Sequence, residues 1–165
     1  MPKTEKLVVN TGPLLALIAA MGSLSFLGQL YKRVFVPFEV CREIEAGGAS
    51  RFGISEFKNA SVLEKQTNPT QVSSFLQNVL DIGEAAVIQL ALDKKIQTVC
   101  IDEEMGRRIA RLNGLNLTGS IGVLIRAKRE GLEFSMKEII NRMQSHGIYL
   151  SQKVIDFALA QAEKQ

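Results

Sequence analysis

The side chains of this chain best suited to chemistry are oxygen donors, and they fall where short apolar runs give way to helices. Leu7-Val8-Val9 runs into Asn10, and Val99-Cys100-Ile101 runs into Asp102 and Glu103. Val36-Pro37 opens a helical stretch carrying Glu43, and Asp81-Ile82-Gly83-Glu84 opens another. In a parallel α/β sheet the carboxyl ends of the strands share one rim, and ligands bind in the crevice there. Carboxylate and amide oxygens delivered to that rim from four segments suit a hard divalent cation. Such a cation points to phosphodiester chemistry.

Each motif also has a structural explanation. An aspartate three residues before a glutamate, as in Asp81 and Glu84, has the form of a capping box. Asn10 with Thr11, and Asp102, are natural helix caps. Glu103 and Glu104 stand four residues before Arg107 and Arg108, the spacing of helical ion pairs worth about a few tenths of a kcal/mol each. A solvated acidic face accounts for Glu39 and Glu43. Thr118-Gly119-Ser120 reads as a turn and cap, or as backbone N–H groups that receive a phosphate. Arg107, Arg108 and Arg111 read as a solvated basic face or the lining of an RNA path. Glu84 is harder to explain away, because its helix is apolar on nearly all sides and a charge there is costly unless paired or metal-bound. The joint order of these motifs along one chain favours a shared site.

The elements that must position them alternate between strand and helix, the pattern of βα units around a parallel sheet. Strands are expected at 6–9, 33–36 and 115–117, a central strand at 97–101, and a short edge strand at 61–64. Helices are expected at 11–20, 23–30, 37–46, 71–79, 84–94, 103–112, 120–130, 135–145 and 151–163. Thr11 is placed to cap the first helix, and proline at position 13 is tolerated in its first turn. The glycine-rich run 47–53 reads as a flexible loop within one domain.

A length of 165 residues is enough for one domain with a real core. No apolar run approaches a membrane span, the longest being 13–21, and the N-terminal residues lack the pattern of a secretory signal. A cytoplasmic location is therefore expected. The net charge of +3 permits a nucleic-acid partner without arguing for one. Cys41 and Cys100 lie among apolar residues and read as buried free thiols, and His146 as a cap or surface residue. Neither a G-x-G-x-x-G nor a phosphate-loop run follows any strand, which disfavours a nucleotide-binding domain. Phe26, Leu27, Leu30, Ile148, Tyr149 and Leu150 suggest an exposed apolar patch that forms a two-fold dimer or receives a partner helix.

Four segments together resemble the successive motifs of PIN-domain nucleases: Leu7-Val8-Val9-Asn10-Thr11-Gly12-Pro13-Leu14, Val36-Pro37-Phe38-Glu39-Val40-Cys41-Arg42-Glu43-Ile44, Gly83-Glu84-Ala85-Ala86, and Ile101-Asp102-Glu103. The likeness is greatest to the toxin-like subgroup designated DUF3368, whose pattern the segments 118–124 and 147–151 also resemble. The resemblance implies an α/β fold, a three-layer α/β/α sandwich with a mostly parallel sheet. A single domain would span 1–165, with C-terminal helices at 135–163 packed on it. It further implies a ribonuclease dependent on magnesium or manganese (Mg2+ or Mn2+), the toxin of a toxin–antitoxin pair. Its partners would be RNA, a small antitoxin protein and a second copy in a homodimer, with no membrane.

Carried over residue by residue, the likeness assigns the metal and catalytic positions to Asn10, Glu43, Glu84 and Asp102, with Glu103 adjacent. Thr118 and Ser120 match the polar position after the last strand and join Arg107 as residues expected to meet RNA. The usual PIN residue at position 10 is aspartate. The asparagine found here offers an oxygen ligand but no charge, and it cannot act as a base. A second reading therefore stands beside the first: a catalytically weak or inactive PIN-like module that binds RNA or a protein partner.

Overall fold

A computed structural model describes residues 4–48 and 51–163. Its middle strand is β1 (Thr4–Val9), in which Leu7, Val8 and Val9 are fully buried. An unbroken apolar run is what a strand covered on both faces requires. On one side β1 pairs with β2 (Tyr31–Val36), and β2 with the edge strand β3 (Leu63–Lys65). On the other side β1 pairs with β4 (Thr98–Cys100), and β4 with β5 (Asn116–Thr118). All pairings are parallel, in the order β3-β2-β1-β4-β5. The chain thus winds outward from β1 to β3, then restarts at β4 and winds outward the other way. The reversal falls between β1 and β4, where a parallel sheet opens its crevice.

Helices fill the connections. Between β1 and β2 come α1 (Thr11–Met21) and α2 (Leu27–Leu30), and between β2 and β3 come α3 (Phe38–Ala46) and α4 (Ile54–Lys58). Then α5 (Ser74–Val79) and α6 (Ile82–Lys94) lead to β4, and α7 (Glu104–Leu112) leads to β5. The last three are α8 (Ser120–Arg129), α9 (Met136–Ser145) and α10 (Gln152–Glu163). One helical group joins α1 to α8 and α9, with α10 packed on α8 and α9. The other centres on α6, which touches β1, β4, α3, α5 and α7. With the sheet between them these make the three-layer α/β/α sandwich. Both α1 and α6 bury residues around most of their circumference, as wedged helices must.

Some expectations change. The helix expected at 23–30 shrinks to Leu27–Leu30, because the Ser23 hydroxyl takes the Ser25 N–H at 3.1 Å and competes with a helical turn. The helix expected from 71 starts at Ser74, where the Ser73 hydroxyl caps the Leu76 N–H. Helix α4, unforeseen in the sequence, starts after Gly53, whose φ of 83° and whose closeness to Leu15 exclude a side chain. The strand expected at 97–101 lies one place off centre, and β1 takes the middle. Part of the loop expected at 47–53 lies outside the described residues.

The apolar patch is corrected at one end: Phe26, Leu27 and Leu30 are buried, turned inward by α2 and its approach. Of the other three, Tyr149 stands in solvent while Ile148 and Leu150 are half-buried. Cys41 and Cys100 are buried free thiols, and His146 ends α9 and stacks on Phe52. Among the described residues no helix is long and apolar enough to cross a membrane.

Candidate active site

Asn10 leaves the end of β1, and its backbone N–H bonds to the Cys100 carbonyl of β4 at 3.1 Å. It precedes α1, yet its side chain caps no group of that helix. Its amide oxygen lies instead toward the start of α6. A Cβ on Gly83 would come within 3.4 Å of Asn10 Oδ1 and 3.2 Å of Glu43 Oε1. The missing side chain lets α6 approach both oxygens. Glu43, delivered by α3, accepts a hydrogen bond from the Thr11 hydroxyl at the head of α1. Its neighbour one turn back, Glu39, accepts from both the N–H and the hydroxyl of Thr70 at 2.8 Å. The alternative of a merely solvated acidic face gives way to hydrogen bonds at both carboxylates.

Asp81 and Glu84 form only half of a capping box. The Asp81 carboxylate accepts the Glu84 N–H at 2.8 Å, but Glu84 makes no return bond. Glu84 is 6% exposed, and its Oε2 has no hydrogen-bond partner among the described residues. That oxygen faces α7, where a Cβ on Gly106 would come within 3.3 Å. Burial, and then the nearby Asp81 and Glu103 carboxylates, push the Glu84 pKa up to about 7.

Asp102 does not cap the helix that follows it. That helix is preceded by Glu103, which makes no side-chain cap bond. The Asp102 Oδ1 instead accepts the Ser120 N–H of α8 at 2.8 Å. Of the two readings of Thr118-Gly119-Ser120, this bond favours the turn, since the Ser120 N–H already meets a carboxylate. Arg107 also departs from expectation: among the described residues neither Glu103–Arg107 nor Glu104–Arg108 forms an ion pair. Its Nη1 donates to the carbonyls of Ile101 at 2.7 Å and Thr118 at 3.3 Å, tying the ends of β4 and β5 together.

The result is a cavity of about 250 Å³ in which Asn10, Glu43, Glu84, Asp102 and Glu103 meet. Thr118, Ser120 and Arg107 line an adjoining groove of about 560 Å³ that shares Asp102 with the cavity. Thr11 and Asp81 also line the cavity and were not foreseen as site residues. The place of Asp81 three residues before Glu84 could have revealed it. Nothing local in the sequence announces that Thr11 orients Glu43.

The donor set is hard oxygen throughout, and the unpartnered Glu84 Oε2 is the kind of buried atom a cation satisfies. Among the described residues no three Asp, Glu, His or Cys side chains are gathered into a ready metal cage. Asn10 stands in place of one acid, while Thr11 and Ser120 hold Glu43 and Asp102. The residues fit a divalent cation in chemistry, with Glu84 as the uncommitted anchor.

A parallel α/β/α sandwich with an acid-lined cavity at its switch point has the layout of α/β domains whose ligand crevice lies beyond the strand carboxyl ends. The family model DUF3368, described as a PIN domain, matches residues 6–164, and the chain belongs to the PIN-domain family. PIN domains are generally nucleases and generally use divalent metals. No curated protein matches the chain.

Proposed function

We propose that this protein is a divalent-metal-dependent endoribonuclease that hydrolyses RNA phosphodiester bonds. One observation carries the reading: a buried Glu84 carboxylate, its Oε2 without a hydrogen-bond partner among the described residues, in the same cavity as Asn10, Glu43 and Asp102. Leaving such a group unsatisfied is costly in a folded protein unless something binds it. Glu43, Glu84 and Asp102, with Glu103 adjacent, would hold magnesium or manganese, and Asn10 would add a neutral oxygen. When bound, the cation supplies positive charge for the scissile phosphate and its leaving oxygen, and makes water more acidic.

The rest of the work falls to the chain. Thr11 orients Glu43, and the Ser120 N–H orients Asp102, so both carboxylates are preset before substrate arrives. Arg107, Thr118 and Ser120 receive the RNA strand on the Asp102 side. Asn10 orients water or ligates, but it takes no proton. Water is the nucleophile, and no covalent intermediate with the protein forms.

The biological setting that fits is the cytoplasmic toxin of a toxin–antitoxin pair, working as a homodimer with a small antitoxin protein as partner. Family likeness supports it, as does apolar surface: Phe75, Val79 and Ile82 stand exposed along α5 and the start of α6. A second reading, a PIN-like module that binds RNA or protein without cutting, is favoured by Asn10 and by the absence of a three-acid cage among the described residues. Incubation of a single-stranded RNA with the protein separates the two. Cleavage that requires manganese, stops with a chelator and is lost in Glu84→Gln supports the nuclease. Intact RNA at every manganese concentration supports the binding module.

A further inference from the structure

Among the described residues, four helices start at a side chain that accepts a first-turn N–H, and one of the four differs in kind. Ser73 caps α5, Ser135 caps α9 and Ser151 caps α10, each through an uncharged hydroxyl. Helix α6 is capped by the Asp81 carboxylate. Serine, asparagine and aspartate serve about equally well as caps. Capping alone therefore does not call for a charge at position 81, and the surroundings oppose one. Asp81 lines the cavity together with Glu43, Glu84, Asp102 and Glu103, and no basic side chain lines it. Like charges gathered in this way repel, and the Asp81 charge acts on Glu84.

The placement of Asp81 leaves half of its carboxylate to spare. Its Oδ1 takes the Glu84 N–H at 2.8 Å, while its second oxygen has no hydrogen-bond partner among the described residues. The residue is exposed, and with Glu43 it lines both the cavity and a neighbouring groove of about 800 Å³. Gly83, two residues on, keeps clear the space beside Asn10 and Glu43. A Cβ there would come within 3.4 Å of Asn10 Oδ1 and 3.2 Å of Glu43 Oε1. Glu84 also lines the cavity, is 6% exposed, and leaves its Oε2 without a partner among the described residues. That orphaned oxygen is the independent sign of a ligand. Buried polar atoms are satisfied in folded proteins, and an anionic oxygen among acids is satisfied by a cation. Asn10 offers the same space an oxygen and no charge.

We infer that Asp81 belongs to the cation site as well as capping α6, its second oxygen supplying negative charge that the neutral Asn10 amide lacks. The inference rests on the metal-dependent reading and adds to it a residue outside the segments that carry the family likeness. Asp81 is a positioning residue: it places charge beside the cation, and the Glu84 N–H fixes the carboxylate that does so. Position 81 then has two properties that a plain cap lacks. An uncharged cap there should build the helix and lose the cation, and a charge moved to position 10 should bring the cation back.

The probe is manganese alone, titrated into the metal-free protein and followed by calorimetry and by the spin-resonance signal of the free ion. Asp81→Asn and Asp81→Ser both keep a side chain able to cap α6, and circular dichroism verifies their folding. Each should weaken manganese binding by roughly 10- to 100-fold, the range for losing an outer partner of a metal. Adding Asn10→Asp to Asp81→Asn should restore the affinity close to that of the parent, because the cavity then holds the same number of carboxylates. Asp81→Ala, which has neither cap nor charge, should bind manganese as Asp81→Asn does and melt at a lower temperature.

Manganese affinity in Asp81→Asn and Asp81→Ser equal to that of the parent overturns the proposal and makes Asp81 a cap alone. So does a loss in Asp81→Asn that Asn10→Asp fails to recover. A parent that binds no manganese overturns the proposal together with the metal-dependent reading. Cleavage of a single-stranded RNA is scored separately. Manganese held through Asp81 with the RNA left intact sinks the nuclease and keeps the site, whereas cleavage and affinity unchanged in Asp81→Asn sink the Asp81 assignment alone.

Discussion

Glu64 and Glu84 are both held close to the sheet, in opposite circumstances. Glu64, on edge strand β3, meets Arg33 of β2 through two contacts of 2.6 Å, Nε to Oε2 and Nη2 to Oε1. The Arg33 guanidinium holds its carboxyl below the usual range. Glu84, beside the switch point of the sheet, is buried, has neighbours of its own sign and is pushed up to about 7. The edge pair is complete by itself and, being exposed, contributes little. The Glu84 environment is incomplete, so its charged form carries a penalty that a proton or a bound cation removes. Carboxylates treated in this way mark places where a protein gives up stability for function.

Replacing Glu84 should break the contrast most severely. Glu84→Gln removes the charge and keeps the shape, so manganese-dependent RNA cleavage should fall at least roughly 100-fold, the upper range for losing even an outer partner of a metal. The same variant, free of metal, should melt higher than the parent above pH 7. A variant that cuts normally and melts at the parent temperature would remove Glu84 from the site.

Next in size is the pH dependence of the metal-free protein. The folded value of about 7 lies above the ordinary 4.5, so the Glu84 contribution is most favourable below 4.5 and is lost as pH rises through 7. Stability by denaturant titration should fall by up to about 3 kcal/mol across that window, and Glu84→Gln should flatten the fall. Glu64 should act in the reverse sense and at lower pH, because its pKa is lowered.

Asn10→Asp sharpens the contrast by adding a further acid to a cavity already lined by Glu43, Asp81, Glu84, Asp102 and Glu103. Without metal it should cost on the order of 2 kcal/mol at neutral pH, through repulsion in the cavity. With manganese the sign should reverse, and cleavage should rise, because ligand charge raises affinity and binding to the folded state stabilises it. Melting curves matching the parent with and without manganese would make position 10 a plain helix boundary.

The smallest effect belongs to the other side of the comparison. Arg33→Ala should leave the melting temperature nearly unmoved and cleavage unchanged, since its ion pair is exposed and remote from the cavity residues. A cleavage defect there would mean that the sheet edge is coupled to the site.

The convergence of Asn10, Glu84 and Asp102 was legible because each follows a strand or sits in the first turn of a helix in a fixed βα order, and parallel topology carries strand ends to one rim. Glu43, by contrast, lies inside α3 and was marked by the family likeness. The buried strand Leu7-Val8-Val9 announced itself by its unbroken apolar run. The bonds that orient the acids were not legible: Thr11 reaches Glu43 across 32 positions, and Ser120 reaches Asp102 across 18. Spacing rules see only neighbours three or four apart, so they paired Glu103 with Arg107 where the fold gives Arg107 to two strand-end carbonyls. The inward turn of Phe26, Leu27 and Leu30 was hidden for a related reason. A four-residue helix has too little periodicity to show which face is buried.

The most direct test of the central claim, that the Glu84 cavity is completed by a divalent cation, is the melting temperature against manganese concentration for the parent and Glu84→Gln at neutral pH. The parent should rise with concentration as a single-site ligand requires, and Glu84→Gln should stay flat from a higher starting point. Parallel rises in both proteins, or a flat line in the parent, would contradict the account.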